Sequence, residues 1–154
     1  MKRQQKIALN SLDQQLSSYD ALRKIETPDK GWINAIRKVL GISLRQLGDR
    51  LDMRPQSVAE VEQREASGGI TLNNLEEVGK ALRLKLVYGF VPIDGSLENL
   101  IERRAFELAK EIVSRTNTTM TLEDQQLNKK KINAQINDLA AELKDNRPRH
   151  LWDL

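Results

Sequence analysis

The chain has 154 residues, with 25 Lys and Arg against 22 Asp and Glu, a net charge of +3, no cysteine and one histidine. That length suits one helix-rich domain with appended elements and is short for two ordinary domains. Without cysteine there is no disulfide framework, thiolate nucleophile or cysteine-based zinc site, and His150 alone cannot supply a cluster of imidazole ligands.

Charged residues make up 31% of the chain but nearly balance, so the field of the whole molecule draws nucleic acid weakly and any surface for it must be local. No apolar run is long enough to span a bilayer, and the opening MKRQQKIALN has no signal-peptide core. A cytoplasmic protein with no membrane partner is expected.

Residues 2 to about 26 carry Leu9, Leu12, Leu16 and Tyr19 at three-and-four spacing, which predicts an amphipathic helix ended by Thr27-Pro28-Asp29. Its apolar stripe is most simply a packing face, although Lys2, Arg3 and Lys6 can also be read as a basic arm toward DNA. A helix from Gly31 to Gly41 follows, with Trp32, Ile33, Ile36, Val39 and Leu40 expected in the core.

Ser43 to Arg64 reads as two short helices joined by a tight turn. Ser43 and Gln46 have the spacing of a capping box, and Leu44, Leu47 and Leu51 share one face. Gly48 sits where two steeply crossing helices need a residue without bulk, and Asp52 tolerates the backbone angles of a reversal. Pro55 suits the first position of the second helix, whose Val58 and Val61 face inward. The loop Glu65-Ala66-Ser67-Gly68-Gly69 is either a plain connector or a source of backbone N–H groups for a phosphate. Thr71 then caps a helix bearing Leu72, Leu75, Val78 and Leu82.

From Leu84 to Val91 the apolar period changes to two, with Leu84, Leu86, Tyr88 and Phe90 on one face of an expected β-strand that Pro92 ends. No second strong strand occurs, so the expected partner is the same strand of a second subunit, making a homodimer with these four residues as its dimerisation face. Beyond Asp94-Gly95, Ser96 caps a helix with a stripe through Leu97, Leu100, Ile101, Ala105, Leu108, Ile112 and Val113. Thr121 is expected to open another, with Ile132, Ile136, Leu139 and Leu143, and the two should form an antiparallel hairpin. Lys129, Lys130 and Lys131 read as a solvated face, and Leu151 and Trp152 of the tail as docking on this protein or a partner.

The expected fold is therefore mainly α, a helix-turn-helix bundle with one short dimer-forming strand and a C-terminal helical hairpin. Its parts are an N-terminal helix and linker (1–30), a DNA-binding domain (31–83), the strand (84–92), and the hairpin with its tail (93–154).

Major-groove reading needs hydrogen-bonding side chains on the second helix of the pair, because base edges there present distinct donor and acceptor patterns. Gln56 suits adenine, Ser57 a base edge or a phosphate, and Arg54 the backbone or a guanine edge. Arg45, at the start of the first helix, is placed for a phosphate, and Arg64 is a further backbone contact. Glu60 either accepts from cytosine N4 or faces solvent. Two copies would read half-sites about 34–36 Å apart, so a palindromic double-stranded operator is the expected target. No nucleotide-binding, nucleophile-elbow or metal-binding spacing is present, so neither enzymatic activity nor a cofactor is expected.

The segment LGISLRQLGDRLDMRPQSVAEVEQRE resembles the XRE-type, lambda-repressor-like helix-turn-helix family. It departs from that pattern at Leu44, where Gln is frequent, and at Pro55, where a polar residue is usual, which shifts the expected contacts to Arg45, Gln56 and Ser57. More widely, the blocks GWINAIRKVLG, RQLGDRL, GGITLNNLEEVGKAL, LVYGFVP with SLENLI, TMTLEDQ and PRHLWDL, in this order, resemble the family called mobile mystery protein A. That resemblance implies an antitoxin-like regulator that represses its own operon beside a Fic-domain protein, a fold that commonly transfers AMP to protein hydroxyls.

The alternative is that the chain neutralises such a partner by binding it. The inhibitory signature of Fic regulators is Ser or Thr, three free positions, Glu, then Gly or Asn. The stretch Thr119 to Asp124, with Glu123, comes nearest and fails at its last residue.

Overall fold

The computed structural model describes residues 2–116 and 125–153. Seven α-helices are present among them: α1 (Arg3–Ser17), α2 (Gly31–Val39), α3 (Leu44–Leu51), α4 (Pro55–Ser67), α5 (Leu72–Ala81), α6 (Leu97–Thr116) and α7 (Gln125–Asn146). They fall into two compact units, one of residues 24–88 and the other of residues 1–23 with 89–154. No helix among the described residues is long and apolar enough to cross a membrane.

The unit of α2 to α5 closes over Ile33, Leu47, Val58, Val61, Val78 and Leu82, all buried. Its local geometry follows from the cap and turn residues. Ser43 Oγ accepts from the backbone N–H of Gln46 at 3.1 Å while the Gln46 side chain accepts from Ser43 N–H at 2.8 Å, so two otherwise unpaired donors at the start of α3 are satisfied reciprocally. Asp52 then adopts the left-handed conformation at φ 54°, and Met53 N–H returns to the Gly48 carbonyl at 2.8 Å. Pro55 occupies the start of α4, where its fixed φ fits and its missing N–H costs nothing. Thr71 caps α5 by accepting from Asn74 N–H at 3.2 Å.

The other unit is built on α6 and α7, with Ile101, Ala105, Leu108, Ala109, Val113, Ile136, Leu143 and Leu151 as its core. Lys144 near the end of α7 lies 3.4 Å from both Glu98 and Glu102 near the start of α6, so the two helices run antiparallel. Helix α1 buries no side chain completely and ends at Ser17, earlier than the sequence pattern implies, followed by a 3-10 turn from Asp20 to Lys24. Its Asp13 reaches the start of α6 and accepts from Leu97 N–H at 2.6 Å and Glu98 N–H at 3.1 Å, adding to the expected Ser96 cap, which accepts from Asn99 N–H at 3.0 Å. Leu151 of the tail is fully buried in this unit, whereas Trp152 stays half exposed. Arg104 holds the tail by donating to the carbonyls of Leu151 and Asp153.

The expected β-strand is absent among the described residues. Residues 84–92 are irregular, and Leu84, Tyr88 and Phe90 are exposed while only Leu86 is half-buried, so the proposed face of Leu84, Leu86, Tyr88 and Phe90 does not form. Apolar alternation describes a surface that fits a sheet, but a ladder also needs neighbouring N–H and C=O groups, and no second strand lies within the described chain to supply them. The segment's first residue is instead tied into the end of α5, where Arg83 takes a left-handed φ of 60° and Leu84 N–H bonds to the Gly79 carbonyl at 2.7 Å.

Other expectations are also corrected. Trp32, Val39 and Leu40 are exposed, Val39 to 87%, and are not core residues. Leu12 and Leu72 are exposed too. The supposed loop beginning at Glu65 is the last turn of α4, which runs to Ser67. The Thr121 cap and the Thr119 to Asp124 stretch lie outside the described residues.

Gly48 shows how closely α3 and α4 approach. A Cβ there would run into the carbonyl oxygen of Met53, which is backbone and cannot swing away. Alanine would improve helix propensity by about 1 kcal/mol, but overpacking costs typically about 1–3 kcal/mol and more against backbone. Gly48→Ala is therefore expected to destabilise the protein, by about 1–2 kcal/mol net in denaturant unfolding; a neutral or stabilised variant would show that the crossing tolerates a methyl group.

Candidate nucleic-acid interface

The orientation of α4 is set by a buried ion pair. Arg37 on α2 and Glu62 on α4 have side chains only 10% and 8% exposed. The guanidinium donates through Nε to Glu62 Oε1, through Nη2 to Glu62 Oε2 at 3.3 Å, and through Nη1 to the Ile42 carbonyl at 2.9 Å. Asn34 Nδ2 donates to the same carboxylate at 2.8 Å. Burial pushes the Glu62 carboxyl upward, but hydrogen bonds from Arg37 and Asn34, with the charges of Arg37 and Lys38, outweigh this and hold it below the usual glutamate value.

A second carboxylate adds to the hold. Glu65, one turn further along α4, accepts from Trp32 N–H at 2.8 Å and Ile33 N–H at 2.9 Å and so caps α2 from another helix. Gly31 is needed for this: its φ is +84°, and a Cβ would sit 2.9 Å from Glu65 Oε2.

Val58, Val61 and Glu62 face the core, and Glu65 leans toward α2. At 3.6 residues per turn the opposite side of α4 is a row through Gln56, Glu60 and Gln63, and all three are exposed. Ser57, half-buried, and exposed Arg64 share a line on the flank. Arg54 precedes the first helical residue and is exposed. Arg45 stands on α3, 75% exposed, with Asp49 at 4.0 Å, a surface pair worth little that leaves the guanidinium accessible.

Of the six residues selected from sequence, Gln56 and Glu60 thus share the outermost face, Ser57 and Arg64 flank it, Arg54 heads it, and Arg45 lies on the neighbouring helix. Gln63 was missed, though its spacing of seven from Gln56 is two helical turns and carries the signal. Arg37, Glu62 and Glu65 were missed as well. Nothing in a list of charged residues distinguishes a buried pair from solvated ones.

The backbone amides after α4 are not available to a phosphate. Gly68 N–H bonds to the Glu65 carbonyl at 3.1 Å and Gly69 N–H to the Arg64 carbonyl at 2.8 Å, ending the helix at a left-handed Gly68. Among the described residues no group of three or more His, Asp or Glu is placed to hold a metal ion.

In geometry this is a capped helix, a tight left-handed turn and a second helix whose outer face is polar and unobstructed. Comparison with protein-family models, with curated proteins and with solved structures finds no match to this chain.

Arg37→Ala leaves the Glu62 carboxylate buried without its main partner and is expected to cost about 3–5 kcal/mol in unfolding experiments. Since the folded Glu62 lies below its ordinary value, its stabilisation is complete above the unfolded value of about 4.3 and is lost as pH falls through the lower folded value. Glu62→Gln should flatten that acid limb in melting curves recorded from about pH 7 to about pH 3, and an unchanged limb would assign the acid sensitivity to other groups.

Proposed function

We propose that this chain is a sequence-specific DNA-binding regulator in which α4 enters the major groove and the start of α3 meets the flanking phosphates. The observation that carries this is the sharply reversed, capped pair α3–α4, which turns an exposed polar face headed by Arg54 and Gln56 outward from a rigid core. Gln56 has the donor and acceptor needed to read adenine N6 and N7, while Arg45 and Arg54 can neutralise phosphates. Arg64 and Ser57 on the flank add backbone contacts.

Two copies on a palindromic operator, in the promoter of the chain's own operon, are part of the proposal. So is the Fic-domain protein that the family resemblance implies as the product of the same operon.

Binding to the promoter should fall steeply with salt. Arg45→Ala is expected to weaken binding to all sequences alike and to reduce the slope of log affinity against log salt by about 0.9. Gln56→Ala should cost about 1–3 kcal/mol on sites carrying its adenine and little on sites lacking it. A full-length protein that binds its own promoter no better than random DNA at moderate salt would overturn this function.

A further inference from the structure

The centre of the exposed row on α4 is a carboxylate, which is an unexpected group to press against a polyanion. Glu60 is exposed and follows Gln56 by one turn, with Gln63 nearly one turn beyond it. Arg64, four residues on, is spaced to neutralise it, yet no ion pair joins them, and nothing among the described residues engages the Glu60 carboxylate. The row spans about 10 Å of helix axis at about 1.5 Å per residue, which matches roughly three base-pair steps of about 3.4 Å.

We infer that Gln56, Glu60 and Gln63 form one reading row, and that Glu60 makes a cytosine obligatory at the base pair it faces. This rests on the DNA-binding function proposed above and specifies its target. An ionised carboxylate only accepts hydrogen bonds. In the major groove the donors are adenine N6 and cytosine N4, while guanine presents two acceptors and thymine an acceptor and a methyl group. Adenine places its N7 acceptor beside N6, so a carboxylate that approaches it meets repulsion as well as a donor. Cytosine offers N4 without that neighbour. The amides of Gln56 and Gln63, each with a donor and an acceptor, suit adenine on either side, and the unfavourable charge at the centre of the row sharpens discrimination by rejecting every other base.

Selection of binding sites from a randomised duplex pool by the full chain tests this. The wild-type protein should recover sites with one nearly invariant C·G pair, and replacing it should weaken binding about ten- to a hundredfold. Glu60→Gln should change the preference at that one position from cytosine to adenine and leave the others intact. Gln63→Ala should relax a different single position. Because these side chains are exposed, circular dichroism should show unchanged folding.

If Glu60→Gln and Glu60→Ala recover the wild-type sites, or bind every sequence more tightly by the same factor, Glu60 is only a repulsive charge and the inference is overturned. Gln63→Ala with every position unrelaxed would overturn the row. If the wild-type protein selects no sequence at all, the DNA-binding function fails and this inference fails with it.

Discussion

The ion pair between Arg37 and Glu62 is the constraint on which the unit of α2 to α5 depends. Two charges removed from water are costly, and their attraction offsets that cost only when the remaining donors and acceptors are also satisfied. Here they are: the carboxylate receives Arg37 and Asn34, and the guanidinium also reaches the Ile42 carbonyl in the connection to α3. One cluster therefore joins α2, the connection leading to α3 and the inner side of α4. With Glu62 held inward, helical geometry leaves Gln56, Glu60 and Gln63 facing outward. A hydrophobic contact of equal strength would permit more rotation, because it has no directional partners.

The same device recurs in both units: a polar side chain from one element completes the hydrogen bonding of another. Glu65 caps α2, Asp13 caps α6, Arg50 donates to the Ala81 carbonyl at 3.1 Å at the end of α5, and Arg104 fastens the tail. Among the described residues each buried cluster is small, six residues in one unit and eight in the other. Directional bonds to chain ends add definition that such cores supply weakly, since helix termini otherwise leave several backbone groups unpaired.

Two of the misplaced elements share one cause. Leu84, Leu86, Tyr88 and Phe90 alternate as a strand should, but alternation states only which surface is apolar, not what will pair with its backbone. On α2 and at its end, Trp32, Val39 and Leu40 look like core residues, yet the inward positions are taken by Ile33 and by Arg37, whose charge argues for the surface until its partner is known. Glu65 beside two glycines reads as loop, though the glycines end the helix and the glutamate belongs to its last turn. For the strand and for α2 what decides is a pairing group outside the segment, missing among the described residues in the first and 25 residues away in the second, while the end of α4 is decided locally by Gly68.

What the residues determine by themselves is local. Ser43 with Gln46, Asp52, Pro55, Thr71 and Ser96 place helix ends because each acts on backbone within about one turn, and Ile33, Leu47, Val58, Val61, Val78 and Leu82 are legible as core because burial follows helical spacing. Which charge is buried and which apolar stripe stays in water were decided only by the tertiary structure. Those outcomes turn on contacts across 25 to 85 residues of chain, such as Arg37 with Glu62 and Asp13 with Glu98, and such contacts exist only once the helices have packed.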